Sequence, residues 1–202
     1  MSQIAAGSQV INDFQIIRIK SFSEIDAQEY IRAILKKEGQ MNKVEMTVVD
    51  EIMKTIGAPV PYFIQILLYE SLNEMRRCKR KTLDKSIISK AYKGGVLGPA
   101  SRTYFEHYFT RLKDYYNKER EDIAKRLILE VARKEKVKKT ELFRLFRQES
   151  KGKLGDEVLS YLLTDIENDF YVSYDAENQY YSFATNILRD WWLRYYDLVE
   201  EE

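Results

Sequence analysis

Apolar residues recur along most of this chain at intervals of three and four, the spacing that places them on one face of a helix. Ala27, Tyr30, Ile31, Ile34 and Leu35 make the first stripe. Ser23 precedes it as a natural N-cap with Asp26 three positions on, and Gly39 stops it. Val44, Val48, Val49, Ile52, Met53 and Ile56 make a second stripe that ends at Gly57. Pro61 suits the first turn of a third helix, which carries Ile64, Ile66, Leu67, Leu68, Ser71, Leu72 and Met75 toward Cys78. A fourth helix is expected with Thr82 as its cap, Leu83, Ile87, Ile88 and Ala91 on its apolar face, and Gly94-Gly95 as its end. Four short helices on short loops predict a small antiparallel bundle.

One early segment departs from that period. Phe14 to Ile19 alternates loosely and is β-branched, so it reads as a short strand. A single strand needs a partner, and nothing in the next hundred residues supplies one. Residues 1–13 are small and polar and are expected to be poorly ordered unless covered.

Gly98-Pro99 is the clearest break in the chain. An aromatic helix follows, with Tyr104, Phe105, Tyr108, Phe109, Leu112, Tyr115 and Tyr116, and reads as a connector. Ile123, Leu127, Ile128 and Val131 predict the next helix. Leu142, Phe143 and Phe146 predict one capped by Thr140, and Val158, Leu159, Leu162, Leu163 and Ile166 a third. Phe170–Tyr174 and Tyr180–Phe183 alternate around the turn Asp175-Ala176-Glu177-Asn178, a hairpin signal. A last helix carries Ile187, Leu188, Trp191, Trp192 and Tyr195. Three helices, a hairpin and a closing helix predict a winged helix, a variant of the helix-turn-helix.

Composition narrows the function classes. With 33 Lys and Arg against 32 Asp and Glu, the overall charge proposes no polyanionic partner. Cys78 is the one cysteine and His107 the one histidine, which excludes an intrachain disulfide and argues against a zinc site. No run approaches the roughly 18 to 20 apolar residues of a membrane span, and the N-terminus does not read as a signal peptide, so a cytoplasmic protein is expected. Met46-Thr47-Val48-Val49-Asp50-Glu51 imitates the strand that holds magnesium in P-loop ATPases. Its apolar residues continue at helical spacing into Ile52 and Ile56, so it reads as helix with Asp50 and Glu51 turned to solvent. These residues contain no Gly-x-x-x-x-Gly-Lys-Ser/Thr loop.

Three segments in order resemble archaeal-type P-loop ATPases related to the AAA+ and STAND groups. Ile11-Asn12-Asp13-Phe14 through Phe22-Ser23 is similar to the last strand of their nucleotide-binding sheet passing into the lid. Gly57-Ala58-Pro59-Val60-Pro61-Tyr62-Phe63-Ile64-Gln65 resembles their lid signature. Tyr104 to Leu112, then Leu188-Arg189-Asp190-Trp191-Trp192, resemble the connector and the final helix. The resemblance implies a mainly α protein: a remnant strand and tail over 1–20, a helical lid over 21–97, a connector over 98–117 and a winged helix over 118–202. It also implies Gly57, Pro59 and Pro61 as contacts to a nucleotide, the alternative being a plain helix–helix turn. Many AAA+ lids carry an arginine at this turn that touches the terminal phosphate, and this one has none. Because nothing in these residues cradles the β- and γ-phosphates, the chain alone is expected to bind no cofactor and to be no enzyme. ATP or ADP with Mg would enter only with a separate P-loop half, pairing at Phe14–Ile19.

Charge is distributed unevenly over the C-terminal part. Leu154 to Glu202 holds 2 basic and 12 acidic residues, net −10, and the helix and hairpin that usually read DNA contain no Lys or Arg. Lys118 to Lys153 holds 13 basic and 7 acidic residues, net +6. Arg133, Lys134, Lys136, Lys138, Lys139, Arg144 and Arg147 are the candidate nucleic-acid contacts, against the reading of a solvated face. The leading expectation is a non-catalytic module for protein or nucleic-acid interaction, with a P-loop half or a second copy as partner. The alternative is a DNA-binding regulator using residues 133–153. Trp191 and Trp192 read as packing residues, His107 has no nucleophile in context, and the resemblance implies Arg111 as a lid–connector contact, the alternative being a surface ion pair.

Overall fold

A computed structural model describes residues 22–40 and 47–197. The predicted strand at Phe14–Ile19, the tail over 1–20 and Val44 lie outside the described residues. Within them the chain is mainly helical with one small three-stranded antiparallel sheet.

Helices α1 (Glu24–Lys37), α2 (Val48–Ile56), α3 (Pro61–Arg77) and α4 (Lys85–Lys90) form the N-terminal bundle. Helix α1 starts where expected: the Ser23 hydroxyl accepts from the Asp26 N–H at 3.2 Å and donates to its carboxylate at 2.7 Å. Ala27, Ile31 and Leu35 of α1 are buried against Val48, Ile52 and Ile56 of α2 and Ile64, Leu67 and Leu68 of α3. Asp50 faces solvent, while Glu51 is half-buried and pairs with Lys85 at 3.2 Å. Helix α4 is capped by Asp84, not Thr82, because the Asp84 carboxylate reaches the Ile87 N–H at 3.0 Å. Nor does Gly94-Gly95 end it. The helix widens into a π-helical turn, Ala91–Val96, and a short 3-10 turn at Pro99–Ser101 follows.

Helix α5 (Thr103–Tyr115) joins the bundle to a second unit. That unit runs α6 (Lys118–Lys134), β1 (Lys136–Lys138), α7 (Lys139–Glu149), α8 (Asp156–Asn168), β2 (Val172–Asp175), β3 (Tyr180–Phe183) and α9 (Asn186–Tyr196). The strand order is β1-β3-β2, with Val137 opposite Tyr181 and Ser173 opposite Ser182. Strand β1 is an addition to the expected hairpin: its Val137 is buried between two exposed lysines, and pairing with β3 draws it into the sheet. Helix α7 therefore starts directly after a strand at Lys139, without the Thr140 cap. The hairpin starts at Val172 rather than Phe170, which sits exposed at φ 63°. Its turn forms as expected, the Asp175 carboxylate accepting from the N–H groups of Glu177 and Asn178, both at 3.0 Å.

The two units share one seam, made by α9. Trp191 and Trp192 are fully buried, Trp191 against Phe105 and Trp192 against Phe109 and Tyr171. On the bundle side, the Tyr92 hydroxyl donates to Asp190 at 2.7 Å and the Tyr195 hydroxyl to the Leu97 carbonyl at 2.9 Å. Burial first, then the bond to Asp190, pushes the Tyr92 phenol well above its usual pKa, so this donor stays protonated. Arg111 fastens α5 to the other side. It donates to the Tyr171 hydroxyl at 2.9 Å and the Asp169 carbonyl at 2.8 Å, under the rings of Tyr108 and Tyr171. It therefore joins the connector to the sheet unit, not to the bundle.

Candidate functional site

Two surfaces carry the residues singled out from the sequence. The first is the turn between α2 and α3. Gly57 adopts φ +84°, a left-handed value that glycine takes without a Cβ penalty. A Cβ there would lie 2.9 Å from the Asn186 side chain, so the last helix rests directly on this glycine. Asn186 also donates to the Lys54 carbonyl at 3.2 Å, closing the α2 terminus. The Gly57 N–H goes to Met53, the Val60 N–H to Ala58, and the Pro59 carbonyl accepts from Phe22 at 3.0 Å. Pro59 and Pro61 carry no N–H. Among the described residues the N–H groups of Ala58 and, in the first turn of α3, Tyr62 have no backbone acceptor, so the turn offers few donors for a phosphate and is well built for packing.

Replacing Gly57 with alanine is expected to cost roughly 1–2 kcal/mol from the left-handed backbone alone. The contact with Asn186 adds to that. Urea unfolding of Gly57→Ala, Asn186→Ala and the pair measures the coupling. The double variant is expected to be more stable than the two single losses summed, because removing the Asn186 side chain relieves its contact with the new Cβ. Strict additivity would show that Asn186 does not press on Gly57.

The second surface is the charged face of the C-terminal unit. Three of the seven candidate cations are already engaged. Arg133 donates to Asp197 from Nε at 2.8 Å, Lys134 pairs with Glu130 at 2.8 Å and Glu141 at 3.1 Å, and Arg147 pairs with Asp156. Lys136, Lys138, Lys139 and Arg144 make no ion pair among the described residues and are exposed. Lys136 lies over the Tyr180 ring at 4.8 Å. The free basic edge is thus β1 and the start of α7, narrower than the run of charges in sequence.

On α8 the exposed side chains are Asp156, Glu157, Ser160, Tyr161, Thr164, Asp165, Glu167 and Asn168, with Asp175 and Glu177 in the hairpin turn beyond. No Lys or Arg occurs between Leu154 and Leu188. Tyr161 is 70% exposed and Phe170 53% exposed, so two aromatic rings stand among the carboxylates. His107 is exposed on α5, its ring tilted against that of Tyr108 with centroids 4.3 Å apart. Burial first and then the Arg111 charge hold its pKa below the usual histidine value.

The described residues hold no cluster of three or more His, Cys, Asp or Glu that fits a metal ion, and no helix long and apolar enough to cross a membrane. Sequence reasoning missed the part Asn186 plays, since its contact with Gly57 spans more than a hundred residues and leaves no local pattern. Neither protein-family models, curated proteins nor solved structures give a match to this chain.

Proposed function

We propose that this chain is a non-catalytic interaction module, a lid-like helical bundle joined to a winged-helix unit, whose partner is a protein. The observation that carries the reading is the face of α8 and the hairpin turn, where the element that would enter a DNA groove presents carboxylates and exposed aromatics. Phosphates repel such a face, whereas a basic protein surface complements it, and exposed aromatic rings are frequent anchors of protein interfaces. The winged-helix assignment is supported by the order helix, strand, two helices, hairpin, with the first strand paired to the last. The lid assignment rests on the resemblance around Gly57–Gln65. The α9 seam, through Asn186, Asp190 and Tyr195, supports the two units acting as one body. A P-loop half or a second copy is the partner class that the resemblance and the charge asymmetry favour, and ATP or ADP with Mg belongs to the function only with such a half.

A second reading has its own observation. Lys136, Lys138, Lys139 and Arg144 form an exposed edge free of ion pairs among the described residues, as a DNA-binding regulator needs. Fluorescence anisotropy with a labelled duplex, run from low salt to about 0.15 M, separates the two. The protein reading expects no saturable binding at the higher salt. Binding with a steep salt slope, lost in Lys136→Glu/Lys138→Glu/Lys139→Glu, would replace it with the regulator. In parallel, quantitative affinity purification with Asp156→Lys/Glu157→Lys/Asp165→Lys is expected to lose partners that the wild type retains. An unchanged partner set would remove α8 as the docking face.

A further inference from the structure

The sheet of the C-terminal unit has two edges of opposite charge. In the order β1-β3-β2 the central strand stands between the edge strands, which places them about 10 Å apart. On the β1 side lie Lys136, Lys138, Lys139 and Arg144, exposed and without an ion pair among the described residues. On the β2 side lie Asp165 and Glu167 of α8 with Asp175 and Glu177 of the hairpin. Glu167 belongs to this edge because its carboxylate accepts from the Tyr174 N–H at 3.3 Å. None of these four carboxylates has an ion pair among the described residues. Tyr180 of β3 pairs with Lys138 on one side and Asp175 on the other, so the opposite charges flank the strand and do not meet.

Each edge also carries an exposed ring. Phe143 lies one helical turn after Lys139 and is 37% exposed; Phe170 lies three residues after Glu167 and is 53% exposed. Phe170 follows the C-cap Asp169 of α8 at φ 63°, where its N–H bonds the Glu167 carbonyl at 3.1 Å. Glycine is the residue of least strain at such a position. A bulky side chain there strains the backbone, and half of its surface still stays in water.

Like edges repel: β1 against β1 sets lysines against lysines, and β2 against β2 sets carboxylates against carboxylates. A basic edge meeting an acidic edge attracts. With 33 basic and 32 acidic residues in the chain, no large net charge keeps copies apart while these patches draw them together. We infer that the β1–α7 edge of one copy docks on the α8–β2 edge of a second copy, Lys136, Lys138 and Lys139 set against Glu167 and Glu177, with Phe143 and Phe170 as the apolar contacts. This names the partner within the protein-interaction reading and rests on it. The contact is head to tail and uses each edge once per copy. Exposed ion pairs are individually weak and screened by salt, so association belongs to high concentration and low salt.

Sedimentation velocity of the full chain from about 10 μM to 1 mM, at about 0.02 and 0.5 M salt, tests it. At low salt the mass is expected to rise with concentration above that of one chain, and to fall back at high salt. Lys136→Glu/Lys138→Glu/Lys139→Glu and Glu167→Lys/Glu177→Lys are each expected to stay single chains with wild-type circular dichroism. Their equimolar mixture is expected to associate again, because each supplies the edge that the other has lost. Phe170→Gly is expected to weaken association about fivefold or more. Its melting temperature should stay near that of the wild type, since relief of strain offsets the lost contacts. A wild type that stays a single chain throughout, association that survives either charge reversal, or a mixture of folded variants that does not associate would each overturn the proposal. A single-chain wild type whose α8 variant still loses partners in affinity purification would overturn it too, and would leave the protein-interaction reading in place.

Discussion

Replacing Trp191 by alanine is expected to lower the unfolding free energy by about 3–5 kcal/mol, the largest loss from any single substitution argued for this chain. Trp191 is fully buried, with the rings of Phe105, Trp192, Tyr195 and Tyr196 all within 6.2 Å of its own, centroid to centroid. Alanine leaves a ring-sized cavity, and the surrounding rings belong to two helices held by other contacts, so collapse into it is limited. Phenylalanine should cost less, for a specific reason. The indole Nε1 has no hydrogen-bond partner among the described residues, so phenylalanine removes a buried, unsatisfied donor along with part of the ring. Urea unfolding followed by far-UV circular dichroism and by the fluorescence of Trp192 should show one transition by both probes, shifted to lower urea in Trp191→Ala. Two separate transitions would mean that α9 does not bind the bundle and the sheet unit into one cooperative body.

A comparison of two neighbouring glycines is expected to give the second largest effect. A Cβ on Gly98 would lie 2.0 Å from the Gly94 carbonyl oxygen and 3.2 Å from that of Gly95. Both are backbone atoms, so no side-chain rotation relieves the overlap and the π-helical turn must part from the chain that follows it. Gly98→Ala should cost roughly 1–3 kcal/mol or more, in the range of overpacked cores. The Gly98 N–H to Gly95 bond of 3.0 Å is strained in the same movement. Gly94→Ala meets no atom within 4 Å and is expected to be neutral, or to stabilise by about 0.4–1 kcal/mol through the unfolded chain. Thermal melts of the two variants decide it. Equal melting temperatures would show that the close approach of Gly98 to Gly94 is not a constraint of the fold.

The bundle was largely legible because its information is local. A stripe such as Val48, Val49, Ile52 and Ile56 needs only helical geometry and burial of one face, and every one of these residues is buried. Ser23 caps α1 through atoms three residues away, and Pro61 opens α3 by its own fixed φ. Errors arose where two local signals competed. Thr82 and Asp84 are both good caps, and in the fold it is the Asp84 carboxylate that meets the Ile87 N–H, two residues later than expected. Gly94-Gly95 is an ordinary stop signal, but Tyr92 bonded to Asp190 and Val96 buried below hold the chain in a widened turn instead. Strand β1 contains a single apolar residue, too few for any period, and exists because β3 offers it a ladder.

By itself the sequence determined the helical character, the aromatic helix after Gly98-Pro99, the hairpin turn and the opposed charges of residues 118–153 and 154–202, all set by neighbours within a few positions or by composition. Tertiary structure alone decided which charges remain free. Arg133 is taken by Asp197 and Arg147 by Asp156, whereas Glu70 has no partner among the described residues although Arg76 and Arg77 lie within two helical turns of it. It also decided that Gly57, a turn residue by its sequence, is the surface on which Asn186 of the last helix rests. The reason is physical: periodicity and capping act over one turn of helix, but desolvation, ion pairing and close backbone approach depend on groups that only folding brings together.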